Sequence, residues 1–148
     1  MKEFRKRIDE LKNLKDGWNA GDGVAFDPEG LDWLAEMMKS VWDFKMLAPR
    51  VSPTPAGHVL LEWTFHRVNL SLDLDLSTKA GEWCAIDLDS PTNAGDAETL
   101  DLRSRIQWVR LQVTTVAWMD RAEEANAERK AQGTKLAESP SNDMNDVK

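Results

Sequence analysis

Between Val59 and Leu88, apolar residues recur at every second position. They fall first at odd numbers (Val59, Leu61, Trp63, Phe65), then at even ones (Val68, Leu70, Leu72, Leu74, Leu76), which continue at Cys84, Ile86 and Leu88. A period of two predicts half-buried antiparallel strands. The change of parity places a turn at His66-Arg67, so that Phe65 pairs with Val68, Trp63 with Leu70, Leu61 with Leu72 and Val59 with Leu74. His-Arg lacks the Gly or Asn that a two-residue turn favours, which leaves a four-residue loop equally open. A second turn at residues 77–81 sets Leu76 against Glu82, Leu74 against Cys84, Leu72 against Ile86 and Leu70 against Leu88. One register then gathers every even apolar residue on a single face, and a one-residue slip would destroy it.

Helical periods flank this meander. Phe4, Ile8, Leu11 and Leu14 predict a helix over 3–15. Gly17 to Gly23 form a turn-rich loop in which Trp18 is expected to plug onto the core. Asp27 as N-cap and Pro28 at the first helical position open a second helix, expected to run to about Lys45. Its inner stripe is Leu31, Leu34, Met38 and Val41, with Trp33, Met37 and Phe44 alongside. Pro49, Pro53 and Pro55 hold an extended approach to the first strand. After a loop at residues 90–95, Asp96 is expected to cap a long helix. Its inner seam is Leu102, Ile106, Val109, Val113 and Val116, with Trp108, Leu111 and Trp118 as a second stripe. Together these give an α+β fold, a three-stranded antiparallel meander packed against two or three helices in the order α-α-β-β-β-α. A single domain is expected over residues 1–131, followed by a disordered tail over 132–148.

The opposite face of the predicted sheet changes the picture. In the expected register it shows Leu60, Glu62, Thr64, Asn69, Ser71, Asp73, Asp75, Trp83, Ala85, Asp87 and Asp89, with five carboxylates and no basic residue. Asp is disfavoured in strands and neighbouring like charges add to the cost. One reading is a solvated face that protects sheet edges from aggregation. The other is a docking surface for a basic partner, formed by Glu62, Asp73, Asp75, Asp87 and Asp89 with Trp83 as an anchor.

Charge narrows the choice of partner. The chain of 148 residues carries a net charge of −7. Residues 1–16 hold six Lys/Arg against four Asp/Glu, whereas residues 58–96 hold two against seven. An acidic chain is a poor general ligand for phosphate backbones, so direct nucleic-acid binding is not expected. The single cysteine, Cys84, admits no internal disulfide and suits a reducing compartment. No apolar run follows Met1 and none reaches the ~20 residues of a membrane span, so the expected location is the cytoplasm, of a cell or of a host.

Candidate chemistry is sparse. His58 and His66 have no further His or Cys at ligand spacing. No nucleophile elbow and no phosphate-cradling glycine loop is present. Asp73-x-Asp75 and Asp87-x-Asp89 invite a divalent-metal reading, but an open sheet face lacks the further oxygens that calcium requires. No catalytic residue, metal or cofactor is therefore expected.

Leu11-x-x-Leu14-x-x-Gly17-Trp18-Asn19, then Gly23-x-Ala25 and Pro28, then Val51-x-Pro53-Thr54-Pro55-x-Gly57-x-Val59-x-Leu61-Glu62-Trp63 form an ordered set of landmarks. This order resembles a family of short bacterial and phage-borne proteins with no assigned biochemical function, over roughly residues 11–75. Such proteins usually place a Gly soon after the loop tryptophan, where this chain has Asn19-Ala20-Gly21. The resemblance implies a small α+β domain and transfers no catalytic residue.

The leading expectation is a non-catalytic interaction module whose acidic face binds a basic protein surface or nucleoprotein complex. Its pointed form is a phage- or mobile-element-encoded inhibitor that imitates nucleic acid. The alternatives are a homo-oligomer assembled through the long C-terminal helix or a free strand edge, and a metal-dependent enzyme using the D-x-D pairs.

Overall fold

The computed structural model describes residues 1–42, 47–89 and 96–138. Along the chain run α1 (Lys2–Leu11), α2 (Pro28–Val41), β1 (Arg50–Pro53), β2 (His58–Phe65), β3 (Val68–Asp75), β4 (Ala80–Asp87), β5 (Asp96–Asp101) and α3 (Arg105–Glu138). The strands form one five-stranded antiparallel sheet in the order β1-β2-β3-β4-β5. The fold is α+β, with two strands more than the expected meander.

The β2–β3 register is the one that parity predicts. Val59 pairs with Leu74, Leu61 with Leu72, Trp63 with Leu70 and Phe65 with Val68 across a two-residue turn. His66 supplies the turn by adopting φ 55°, an uncommon conformation for a residue with a Cβ.

The next hairpin departs from expectation. Leu74 pairs with Gly81, Leu72 with Trp83 and Leu70 with Ala85, so β4 carries the opposite parity to the one expected. Gly81, Trp83 and Ala85 therefore face the core, while Glu82, Cys84 and Ile86 take the other side. Two physical features set this register. The connection closes early, with Lys79 in the left-handed region at φ 59° and its N–H donating to Asp75 O at 2.7 Å. Gly81 is thereby free to enter the strand, where the side chains of Leu72 and Leu102 fill the space beside its Cα. Burying the Trp83 ring also removes more apolar area from water than burying Cys84 or Ile86. Leu88, expected in the core, is 59% exposed.

The edge strands are the other addition. β1 pairs with β2 from Arg50↔Glu62 to Pro53↔Val59, and β5 pairs with β4 from Ala80↔Asp101 to Ala85↔Asp96. Asp96 is thus a strand residue rather than a helix cap. The edge of β4 offers the Asp96–Asp101 segment a ladder, which outweighs its local suitability for a helix start. The loop expected at residues 90–95 lies outside the described residues.

All three helices lie on one face of the sheet, α1 against β1 and α3 against β3, with α2 between them. Phe4, Ile8 and Leu11 of α1 and Leu31, Leu34, Ala35 and Met38 of α2 enter the core with the inward residues of β2 and β3. The Asp27 side chain caps α2 by accepting from Glu29 N at 3.3 Å and Gly30 N at 3.2 Å. α2 ends at Val41 and Trp42 is extended, four residues before the expected stop at Lys45; Phe44 lies outside the described residues. Trp18 donates its indole N–H to Val24 O at 3.0 Å and packs against Phe26, closing the loop onto itself and the core.

α3 presents a different face from the expected one. Trp108, Leu111, Thr115, Trp118 and Ala122 are buried, while Ile106, Val109 and Val113 are 76%, 42% and 63% exposed. The two stripes compete for the same core. The one with two indole rings removes more surface from water, and Trp108 also finds a hydrogen-bond partner in Leu102 O. α3 continues to Glu138, through residues expected to be tail, as their Ala, Glu, Lys and Gln favour helix. Residues 139–148 lie outside the described residues. No helix among the described residues is long and apolar enough to cross a membrane.

Candidate functional site

With the helices on one side, none of the described elements covers the other face of the sheet. Alternation along each strand decides what it shows. β2 contributes His58, Leu60, Glu62 and Thr64; β3 contributes Asn69, Ser71, Asp73 and Asp75. β4 adds Ala80, Glu82, Cys84 and Ile86, and the edges add Arg50, Ser52, Ala97, Thr99 and Asp101. The carboxylates on this face are Glu62, Asp73, Asp75, Glu82 and Asp101; the basic groups are Arg50 and His58.

The register sets these groups in rows. Asp73 lies directly across from Glu82 on one side and Leu60 on the other. Like charges directly opposite each other are destabilising, so this pair is a cost that the sheet carries. Asp75 lies across from His58 and, through Ala80, in line with Asp101. Glu62 lies across from Arg50 and Ser71.

His58 organises one end of the face. Its Nδ1 lies 2.9 Å from Asp73 Oδ1 and its Nε2 lies 3.6 Å from Asp75 Oδ2. The strand start is fixed locally, since Thr54 Oγ1 accepts from His58 N at 3.1 Å. Asp75 in turn accepts from Ser77 Oγ at 2.6 Å and from Ser77 N at 2.9 Å. The Ser77 hydroxyl is the main reason that the Asp75 carboxyl sits below its ordinary value of 3.8. Partial burial opposes that shift, while backbone N–H groups of Ser77 and Thr78 and the nearby His58 add to it. Asp101 is held down to about 2, chiefly by the Arg103 guanidinium, whose Nε and Nη2 donate at 2.9 and 2.8 Å. Arg103 pairs with Asp101 and His58 lies against Asp73 and Asp75, so the carboxylates of this face without an ion pair among the described residues are Glu62 and Glu82.

The Asp75 shift has a pH signature. A carboxyl whose folded pKa lies below its unfolded one stabilises the protein above the unfolded value, and that stabilisation disappears as pH falls toward the folded value. Asp75→Asn is therefore expected to lower stability at neutral pH and to match the parent protein increasingly well below about pH 4. Urea midpoints across this range check it; a constant gap at every pH would show that the ionised form contributes nothing.

The candidate residues read from the sequence divide. Glu62, Asp73 and Asp75 lie on the open face as expected. Trp83 does not: it is 5% exposed, inside the core, because β4 pairs in the other parity. Asp87 and Asp89 are displaced for the same reason. Asp87 is opposite Val68 in the last pair of the β3–β4 ladder, beside Trp118 and Arg129 of α3, and its Oδ1 accepts from Asp89 N at 2.9 Å. Asp89 pairs with Arg67 Nε at 3.0 Å and with Arg129 of α3, tying the sheet end to the helix. This separation also removes the geometric basis for the D-x-D metal site, as Asp73 and Asp87 do not share a face. Among the described residues, no group of three or more His, Cys, Asp or Glu could hold a metal ion.

Sequence reading missed His58, Glu82 and Asp101 as members of the face. The signal for Glu82 was present in the odd-numbered Gly81, Trp83 and Ala85, which form an equally apolar alternation. The chain was also compared with family models, curated proteins and solved structures, and it matches none of them.

Proposed function

We propose that the protein is a non-catalytic binding module that offers the uncovered face of its sheet to a basic protein surface. The observation that carries this reading is the asymmetry of the sheet: three helices cover one face, and the other is left open with Glu62, Asp73, Asp75, Glu82 and Asp101 on it. Asp73 and Asp75 repeat at about 6.8 Å along one strand, and Glu82 lies one strand away at about 4.8 Å. A rigid array of this kind presents negative charge at regular intervals, as a nucleic-acid backbone does. Its pointed form is an inhibitor, carried by a phage or mobile element, that occupies the nucleic-acid path of a host complex. Long-range attraction would speed such an encounter and make it sensitive to salt.

Two variants test the reading. One changes Glu62 and Glu82 to Gln and Asp73 and Asp75 to Asn. The other removes the same number of charges from the helix side, at Asp9, Glu10, Glu29 and Glu36. The expected result is that a bacterial partner is captured by the native protein and by the helix-side variant, is released at high salt, and is missed by the sheet-face variant. Equal losses in both variants would reduce the effect to net charge. Equal capture by all three would make the carboxylates solubility devices.

A further inference from the structure

Ile106, Val109, Val113 and Val116 recur on α3 at spacings of three, four and three. At 3.6 residues per turn they form a stripe about 80° wide, centred roughly 160° from the stripe that enters the core. Ile106, Val109 and Val113 are among the large hydrophobic residues left exposed in the molecule. A helix that is apolar on two opposite faces has a core on one side and an unfilled contact on the other. From this geometry we propose that the outer face of α3 binds a second copy of the same chain, with the two helices antiparallel. The inference is independent of the acidic-face reading.

The charges along the stripe select both the occupant and its direction. Arg105 and Arg110 flank its N-terminal part, and Asp120, Glu123 and Glu124 follow at its C-terminal end. In a parallel pair each acidic residue would meet its own copy along the seam. In an antiparallel pair Arg105, at the start of each helix, lies beside Asp120 of the other, the first acidic residue past the stripe. When Ile106 lies against Val116 of the second copy, and Val109 against Val113, Arg105 comes within about one turn of the second copy's Asp120. Arg110 then nears its own counterpart, but its charge is already balanced by Glu98 of β5 at 2.8 Å. The stripe is also built entirely from β-branched residues, short side chains that let two helices approach closely. Four residues per chain make a small contact, so the association belongs to the weak, concentration-dependent class.

Sedimentation across micromolar to millimolar protein tests the proposal. The native chain is expected to pass from its 16.7 kDa mass to twice that value. Val113→Glu, at a site already open to water, is expected to weaken association by at least about tenfold while leaving the circular dichroism spectrum unchanged. Arg105→Glu is expected to weaken it by severalfold, and adding Asp120→Arg to restore it. A native chain that stays monomeric throughout, or a Val113→Glu chain that dimerises as the native one does, overturns the proposal. Failure of Asp120→Arg to restore the Arg105→Glu chain overturns the antiparallel arrangement.

Discussion

Replacing Trp108 with alanine is expected to cost about 3–5 kcal/mol, a large share of the 5–15 kcal/mol that holds a typical domain together. The residue is fully buried; its ring meets Trp33 edge-on at 5.9 Å, and its indole N–H donates to Leu102 O at 2.7 Å. Alanine would leave a cavity between α2 and α3 and strip the Leu102 carbonyl of that donor. The melting midpoint is expected to fall by about 10–20 °C, followed by circular dichroism. Trp108→Phe retains most of the ring volume and loses the hydrogen bond, so a smaller cost of about 1–2 kcal/mol is expected. Ile106→Ala, on the opposite stripe, is expected to change stability by less than about 0.5 kcal/mol. If Ile106→Ala were the costlier change, α3 would be seated on the sheet by its other face.

The second large effect is expected at Gly81. A Cβ there would lie 2.7 Å from Leu72 Cδ1 and 2.9 Å from Leu102 Cδ1. Both leucines are fully buried, so neither can swing into solvent. Gly81→Val is expected to cost about 3 kcal/mol, and Gly81→Ala about 1–2 kcal/mol, by overpacking. Shortening Leu72 to Val in the Gly81→Ala background removes the clashing methyl. The double variant is expected to be more stable than the sum of the two single losses predicts, which a double-mutant cycle of urea midpoints measures. Additive losses would mean that the two side chains do not meet, and that β4 pairs with β3 in another register.

The two hairpins show why one register was legible in the sequence and the other was not. In β2 and β3 a single parity is apolar in each strand, and two residues separate them, so Phe65 and Val68 can pair in only one way. In β4 both parities are apolar: Gly81, Trp83 and Ala85 on one, Cys84 and Ile86 on the other. The choice then rests on the conformation of Lys79 and on the space beside Gly81, neither of which a hydrophobic pattern contains. The face of α3 was ambiguous for the same reason, with two apolar stripes and one sheet to receive them. β5 was hidden because Asp96–Asp101 has the composition of a helix start, and its pairing depends on β4, the strand whose parity the pattern left open. Glu62, Asp73 and Asp75 were legible because they lie in the unambiguous hairpin. Trp83, Asp87 and Asp89 were misplaced because they lie in or beyond the ambiguous one.

The strand order has a consequence for how the molecule assembles. Because each strand pairs only with its neighbours in sequence, the whole sheet can form by successive closure of local hairpins, without the entropic cost of joining distant segments. The β2–β3 hairpin, with two residues in its turn, is the natural nucleus, and the edges are added outward from it. Rapid local pairing shortens the time during which the apolar parity of β2 and β3 lies exposed on an unpaired strand, the state in which such segments aggregate.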